Sequence, residues 1–283
     1  MPPKRHLTAR RVRLGAELRK LREATGMTAR EAAELLEADA VQVSQIESGT
    51  VGVSAKRVRR LADNYTCTDL ALVDSLVAMA TDRTRGWWEE YRGVLPPAFL
   101  DTAEAEYHAT YLREVVIMHV PGLLQTADYA RAVFSYMRPE LPESEVAARV
   151  EHRMNRRVII ERDTPTPYET VIHEFALRVH VADRQVSRVQ LHEILDAIER
   201  DQVTVRVIPV DCEGFAGAGA SMVYLGGPVP QLDTGLRDSP TGAAFCDAEE
   251  QLENLRTLFR TVKSASLDPV ASRGLIHRLA KEL

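Results

Sequence analysis

The chain has 283 residues, about twice the ~150 of a typical domain, so two domains are expected. Hydrophobic residues make up 45% and charged residues 27%, which excludes disordered and fibrous classes. No apolar run approaches the ~18 residues of a bilayer span, and no apolar stretch follows the basic start MPPKRHLTARR, so neither a membrane segment nor a secretory signal is expected. Cys67, Cys212 and Cys246 are widely spaced. They suit a reducing, cytoplasmic setting and lack the paired spacing of a zinc site. Charge is unevenly distributed: residues 1–62 hold 13 Lys and Arg against 7 Asp and Glu, a net of +6, and the remainder carries −11. A basic first fifth on an acidic body is the footprint of a chain that meets a polyanion at one end.

The first part of the chain predicts five short helices. In Arg11–Ala24, Leu14, Leu18 and Leu21 recur at helical spacing, and Gly26 follows as the stop. Thr28 is an N-cap with Glu31 three residues on, a capping box, and Ala32, Ala33, Leu35 and Leu36 form the buried side. Asp39 caps a third helix with Gln42 at the box position, Val43 and Ile46 inward, and Gly49 as the stop. Ser54 caps a fourth with Val58, Leu61 and Ala62 buried; a fifth runs from Thr68 to Arg83 with Leu72, Val73, Leu76, Val77 and Met79.

Two short helices joined through Leu36–Asp39 make a helix-turn-helix. The stretch LGAELRKLREATGMTAREAAELLEADAVQVSQIESG resembles the Cro/repressor-type (XRE) DNA-binding domain, in its LRKLRE helix, its Gly26-x-Thr28 start and its VSQIESG recognition helix. It departs at Glu37, where that family usually has a glycine. The resemblance implies a buried ion pair between Arg22 and Glu47. With Val43 and Ile46 inward, the opposite face of the third helix presents Ala40, Val41, Gln42, Ser44 and Gln45. Glutamine can bond adenine bidentately and small apolar groups can touch a thymine methyl. Gln45 is the expected polar reader and Ala40 and Val41 the apolar ones, while Gln42 serves either the base edge or the capping box. Thr28, Ser48 and Thr50 are placed for phosphate contacts, and Arg57, Arg59 and Arg60 form either phosphate clamps or a solvated face.

Residues 1–84 are therefore expected to be the DNA-binding domain with its connecting helix, and residues 85–283 a second domain. Trp87-Trp88 are expected to pack the junction, with Pro96-Pro97 breaking the chain after them. Glu114–His119 reads as a buried strand, Pro121–Tyr136 as a helix and Glu143–Arg162 as a long charged helix. Tyr168–His173 alternates like a strand, Asp183–Arg200 is amphipathic, and Val203–Val210 alternates at period two. Ser221–Leu225 and Val229–Leu232 flank Gly226-Gly227-Pro228 as a hairpin, and Ala243–Lys263 and Pro269–Leu283 end the chain as helices. Strands dispersed among helices predict an α+β class with a mixed sheet.

The segment His119-Val-Pro-Gly-Leu-Leu-Gln-Thr-Ala-Asp-Tyr-Ala-Arg131 resembles the VPGLLQTxxYAR signature of a domain of unknown function found behind Cro-type modules in actinomycete regulators. HEFALR (173–178), QLHEIL (190–195) and VTVRVIPV (203–210) follow in that family's order. The WhiJ-like members share this two-part layout, which implies a transcriptional regulator, often encoded beside a small partner protein and described as antitoxin-like. The Gly/Ala-rich stretch 214–220 departs from the family in lacking polar residues. Pro121–Arg131 reads either as a core helix with Leu124 and Ala127 buried, or as a groove for a partner in which Gln125, Tyr129 or Arg131 take part.

Catalytic constellations fail one by one. Leu177 stands where a second histidine would complete HExxH after His173-Glu174, and no GK[ST] follows Gly214, Gly217 and Gly219. No metal, cofactor or catalytic residue is expected. Two readings stand: a homodimeric regulator of double-stranded DNA whose second domain dimerises or receives a signal, and an antitoxin-like module that neutralises a small partner encoded nearby. An enzyme with a DNA-targeting head is a distant third.

Overall fold

The computed structural model describes residues 7–215, 217–237 and 244–283 and divides into two compact units, Met1–Gly86 and Trp87–Leu283. Lys4, Arg5, Ala216 in the 214–220 stretch, and Ala243, the expected start of a terminal helix, lie outside the described residues.

The first unit is five helices: α1 (Ala9–Ala24), α2 (Ala29–Leu35), α3 (Ala40–Glu47), α4 (Ala55–Asn64) and α5 (Leu70–Thr81). Each starts on a side-chain cap, with Thr8, Thr28, Asp39, Ser54 and Asp69 accepting from the N–H three residues on. This satisfies one otherwise orphaned donor per helix. Because Asp69 is the cap, α5 is shorter than the Thr68–Arg83 read from the sequence. Leu14, Leu18, Ala32, Ala33, Leu36, Val43, Ile46, Val58, Leu61 and Leu76 form the core. Leu35, expected on the buried side of α2, is instead 44% exposed: α2 ends there, and its last turn directs Leu36 inward.

The second unit opens with a 3-10 turn (Trp87–Tyr91) and α6 (Pro97–Tyr107). Pro96-Pro97 does not break the chain as its composition predicts: Pro97 sits in the first turn of α6, where proline lacks only a donor that the helix does not use. Trp88 is buried with Tyr91, Leu95, Leu100 and Ala103, and Trp87 meets His152 at 4.9 Å between ring centroids. Both tryptophans thus belong to the second unit's own core.

The strand expected at Glu114–His119 lies three residues earlier, as β1 (Tyr111–Val116). After it comes a 3-10 turn (Gly122–Leu124) and then α7 (Ala127–Met137), so Pro121 does not open a continuous helix. Gln125 and Thr126 are extended, and the Thr126 hydroxyl caps α7 at the Tyr129 N–H. Leu124 is buried as expected, but Ala127 is exposed and Ala130 buried in its place, because this cap resets the helical phase. The long charged helix is α8 (Glu143–Arg156) followed by the single turn α9 (Val158–Glu161), parted where the Arg157 N–H bonds the Met154 carbonyl three residues back.

Next come β2 (Tyr168–His173), α10 (Glu174–Arg178), α11 (Arg184–Ile198), β3 (Val203–Ile208), β4 (Met222–Gly226), β5 (Thr234–Arg237), β6 (Ala244–Cys246), α12 (Glu249–Ala265) and α13 (Pro269–Glu282). The hairpin partner of β4 is β5; Pro230–Leu232 is a 3-10 turn, because Pro230 cannot donate to a ladder. Ala244–Cys246, expected as helix, pairs with β5. The sheet order is β3-β2-β1-β4-β5-β6, parallel among β1, β2 and β3 and antiparallel from β4 onward. The class is α+β. One face, with Leu112, Tyr168, Ile172, Val205 and Val207, packs on Leu191 and Ile194 of α11 and Ile276 and Leu279 of α13. The other, with Val115, Val171, Met222 and Tyr224, packs on Leu252, Leu255 and Phe259 of α12. Period-two alternation along β1 and β2 serves these two cores.

His152 is 1% exposed and ringed by Trp87, Tyr91 and Phe99. Burial, reinforced by the charges of Arg156 and Arg153 and opposed by a bond to the Phe99 backbone, lowers its pKa to about 3. The folded state therefore holds it neutral, while the unfolded chain takes up a proton below about 6.5, so stability falls as pH falls through that value. Between pH 6.5 and 5 the second unit should lose on the order of 1 kcal/mol per pH unit. Urea midpoints measured across that window should show the slope in the wild type and a much flatter one in His152→Phe.

Candidate nucleic-acid interface

α3 is eight residues long, too short to hold its shape alone. Its start is fixed by Asp39, whose carboxylate accepts from the Gln42 N–H at 2.6 Å. The reciprocal half of the expected box is not formed. The Gln42 side-chain oxygen instead accepts from Arg57 of α4 at 3.4 Å. In α2 the box is complete: the Thr28 hydroxyl accepts from the Glu31 N–H and donates to the Glu31 carboxylate, which also takes the Thr28 N–H.

The far end of α3 is held against α1. Arg22 Nε and Nη2 donate to the two oxygens of Glu47 at 2.7 and 2.9 Å, and Nη1 to the Met27 carbonyl at 2.6 Å. The two side chains are 9% and 8% exposed. The Glu47 bond, against the opposing effect of burial, raises the Arg22 pKa, so the guanidinium stays charged. Beside this pair α1 and α3 come into backbone contact. A Cβ on Gly15 would lie 2.4 Å from the Glu47 carbonyl oxygen, and one on Gly49, which has φ +73°, would lie 2.6 Å from the Arg11 carbonyl oxygen. A glycine inside an otherwise regular helical pattern was the sequence signal for this contact; which element approached it was not legible.

Val43 and Ile46 are buried, and Ala40, Val41, Ser44, Gln45 and Ser48 line one open depression on the opposite side. Among these, Val41 is 63% exposed. Ser48 and Thr50 both donate to the Gln45 carbonyl, at 3.1 and 3.0 Å, and lie 3.0 Å apart at the C-terminal end of α3. The three arginines of α4 diverge. Arg57 meets Gln42, Arg59 meets Asp74 at 2.9 Å, and Arg60 meets Glu37 at 2.9 Å and the Leu35 carbonyl at 2.6 Å. Glu37 is left-handed, with φ +54°, the conformation for which glycine is ordinarily selected.

In the second unit, Gln125 and Tyr129 are each 2% exposed. Gln125 donates to the Val120 carbonyl at 2.7 Å and accepts from Arg153 at 2.6 Å. The Tyr129 hydroxyl accepts from the Val120 N–H at 3.2 Å. Gln190 of α11, which sequence reading did not single out, donates to the Leu124 carbonyl at 2.6 Å and accepts from the Thr126 N–H at 2.8 Å. Arg131 stands apart on the surface, paired with Glu143. The structure thus brings Gln125 and Tyr129 together around one buried turn and leaves Arg131 outside it.

The N-terminal region matches the family model of a helix-turn-helix domain over residues 13–76, which points to a DNA-binding regulator rather than an enzyme. Residues 99–278 match the model of a domain of unknown function, DUF5753, and over this larger part the chain belongs to that family. No curated protein and no solved structure gives a significant match. Among the described residues there is no cluster of three or more His, Cys, Asp or Glu able to hold a metal, and no helix is long and apolar enough to cross a membrane.

Gly15→Ala should destabilise the first unit by about 2 kcal/mol, because the overpacking at the Glu47 carbonyl outweighs the ~1 kcal/mol gain in helix propensity. Thermal unfolding of the two proteins checks the sign, which propensity alone would reverse.

Proposed function

We propose that this chain is a sequence-specific regulator of transcription of the Cro/repressor type, binding double-stranded DNA through the outward face of α3. The observation that carries the reading is the shared depression of Ala40, Val41, Ser44, Gln45 and Ser48 on a helix anchored at both ends, in a segment of net charge +6. A short helix with one face buried and the other uncovered fits a major groove, which admits an α-helix. In this reading Gln45, Val41 and Ala40 meet base edges, and Ser44, Ser48 and Thr50 meet the edge of the groove. Gln42 shares its amide with Arg57, and Thr28 contributes the start of α2 with its hydroxyl already engaged by Glu31. Residues 1–84 form the DNA-binding domain and residues 85–283 a regulatory domain, in which Gln125 and Tyr129 hold a turn rather than a ligand. One eight-residue helix covers too few base pairs for genomic specificity, so the protein acts as a homodimer with half-sites about 10 bp, or a multiple, apart.

On an operator found by selection from random duplexes, Gln45→Ala should lose roughly 1–3 kcal/mol of specific affinity and almost none on scrambled DNA. Equal losses on both would make Gln45 a backbone or structural residue. Binding should weaken steeply with salt as phosphate neutralisation releases counterions. Gel shifts with residues 87–283 alone should show no operator binding, and light scattering should give two chains per operator.

A further inference from the structure

We infer that the exposed first turn of α3 recognises the C5-methyl group of a thymine, with Val41 as the specificity-determining side chain and Gln45 as an adenine reader on the same ridge. The inference rests on the DNA-binding reading above and goes further by naming the base pair selected.

Val41 is the starting point. A valine that is 63% exposed, on a helix whose other large aliphatic side chains, Val43 and Ile46, are buried, is apolar surface that the chain itself leaves uncovered. Among the large hydrophobics described in the first unit only Leu70 is more exposed, and Leu70 lies on α5, away from the depression. Val41 and Gln45 are four residues apart and so stack along one ridge of the helix; Ala40, Ser44 and Ser48 form the ridge beside it. The first turn of this face is therefore aliphatic and the later turns polar.

The chemistry of the lining narrows the base. None of its five residues is charged. Guanine is most often read by Arg or Lys and cytosine by Asp or Glu. The charged groups that flank this lining have other occupations: the Asp39 carboxylate bonds the Gln42 N–H, Glu47 pairs with Arg22, and Arg57 bonds the Gln42 oxygen. Of the two glutamines, Gln42 has its oxygen taken by Arg57, whereas no hydrogen bond of the Gln45 amide group is found among the described residues. Gln45 thus retains both the donor and the acceptor that adenine N7 and N6 require. An aliphatic contact and a free amide separated by four residues, about 6 Å along a helix axis, fit a thymine and an adenine within two base-pair steps of 3.4 Å.

Uracil differs from thymine only by the methyl group, so it isolates the contact. A random duplex library is selected with the full-length protein, and each thymine of the resulting consensus is then replaced singly by uracil. At one thymine per half-site the replacement should weaken wild-type binding roughly three- to tenfold, as loss of one buried methyl predicts. At that same position it should weaken Val41→Ala binding less than twofold. An equal uracil effect in both proteins, no uracil-sensitive thymine, or a consensus without A·T pairs in the half-site would overturn the inference while leaving sequence-specific DNA binding in place. A selection that yields no consensus at all would overturn both.

Discussion

Everything that α3 presents outward depends on how its C-terminal end is tied to α1. The bidentate bond between Arg22 and Glu47 is nearly closed to solvent, and losing one member would leave a buried charge unpaired. Such pairs contribute little net stability compared with an apolar contact of the same volume, but their two-point geometry fixes rotation as well as distance. Gly15 and Gly49 let the backbones meet at the same place. A helix of two turns has no rigidity of its own. Its orientation is supplied by α1 through this seat, and by the Asp39 cap at its other end.

The two units use polar side chains in opposite ways. Around Val120–Thr126 the chain turns within the core, where unpaired backbone groups would be costly. Gln125, Tyr129 and Gln190 reach back to satisfy those groups. Deep in the same unit Arg156 pairs with both oxygens of Glu106 at 2.8 and 2.5 Å, and the Tyr168 hydroxyl bonds Glu114. On α3, by contrast, the amide of Gln45 and the side chain of Val41 face outward. Polar groups inside the second unit complete the fold, whereas the outward side of α3 carries a glutamine whose side chain has no such task.

In three places the second unit departs from its local periodicity for one physical cause. Local periodicity placed a helix from Pro121, a strand at Val229–Leu232 and a helix from Ala243. In each case a neighbour in space decided otherwise: Gln190 and Thr126 for the turn, the β4–β5 register for the hairpin, and pairing with β5 for Ala244–Cys246. A three-residue strand carries no periodic signal, and its ladder partner lies outside any local window.

The first unit was nearly legible in full. Thr28, Asp39 and Ser54 announce the three middle helices, because helix caps are local chemistry between residues three apart. The caps of α1 and α5, Thr8 and Asp69, do not stand out from the pattern around them. The outward set on α3 followed from the two inward positions, Val43 and Ile46, because helical spacing leaves no freedom once one face is assigned. Local patterns along the chain therefore suffice for the five helices, the three middle caps, the α+β class and the side of α3 that faces out. Which polar groups on that side remain free is a matter of packing between helices. Whether Arg57 reaches Gln42, Arg60 reaches Glu37, or Gly15 meets the end of α3 depends on distances between residues 15 to 32 positions apart in the chain. Packing of separate helices sets those distances, and no spacing pattern along the chain encodes them.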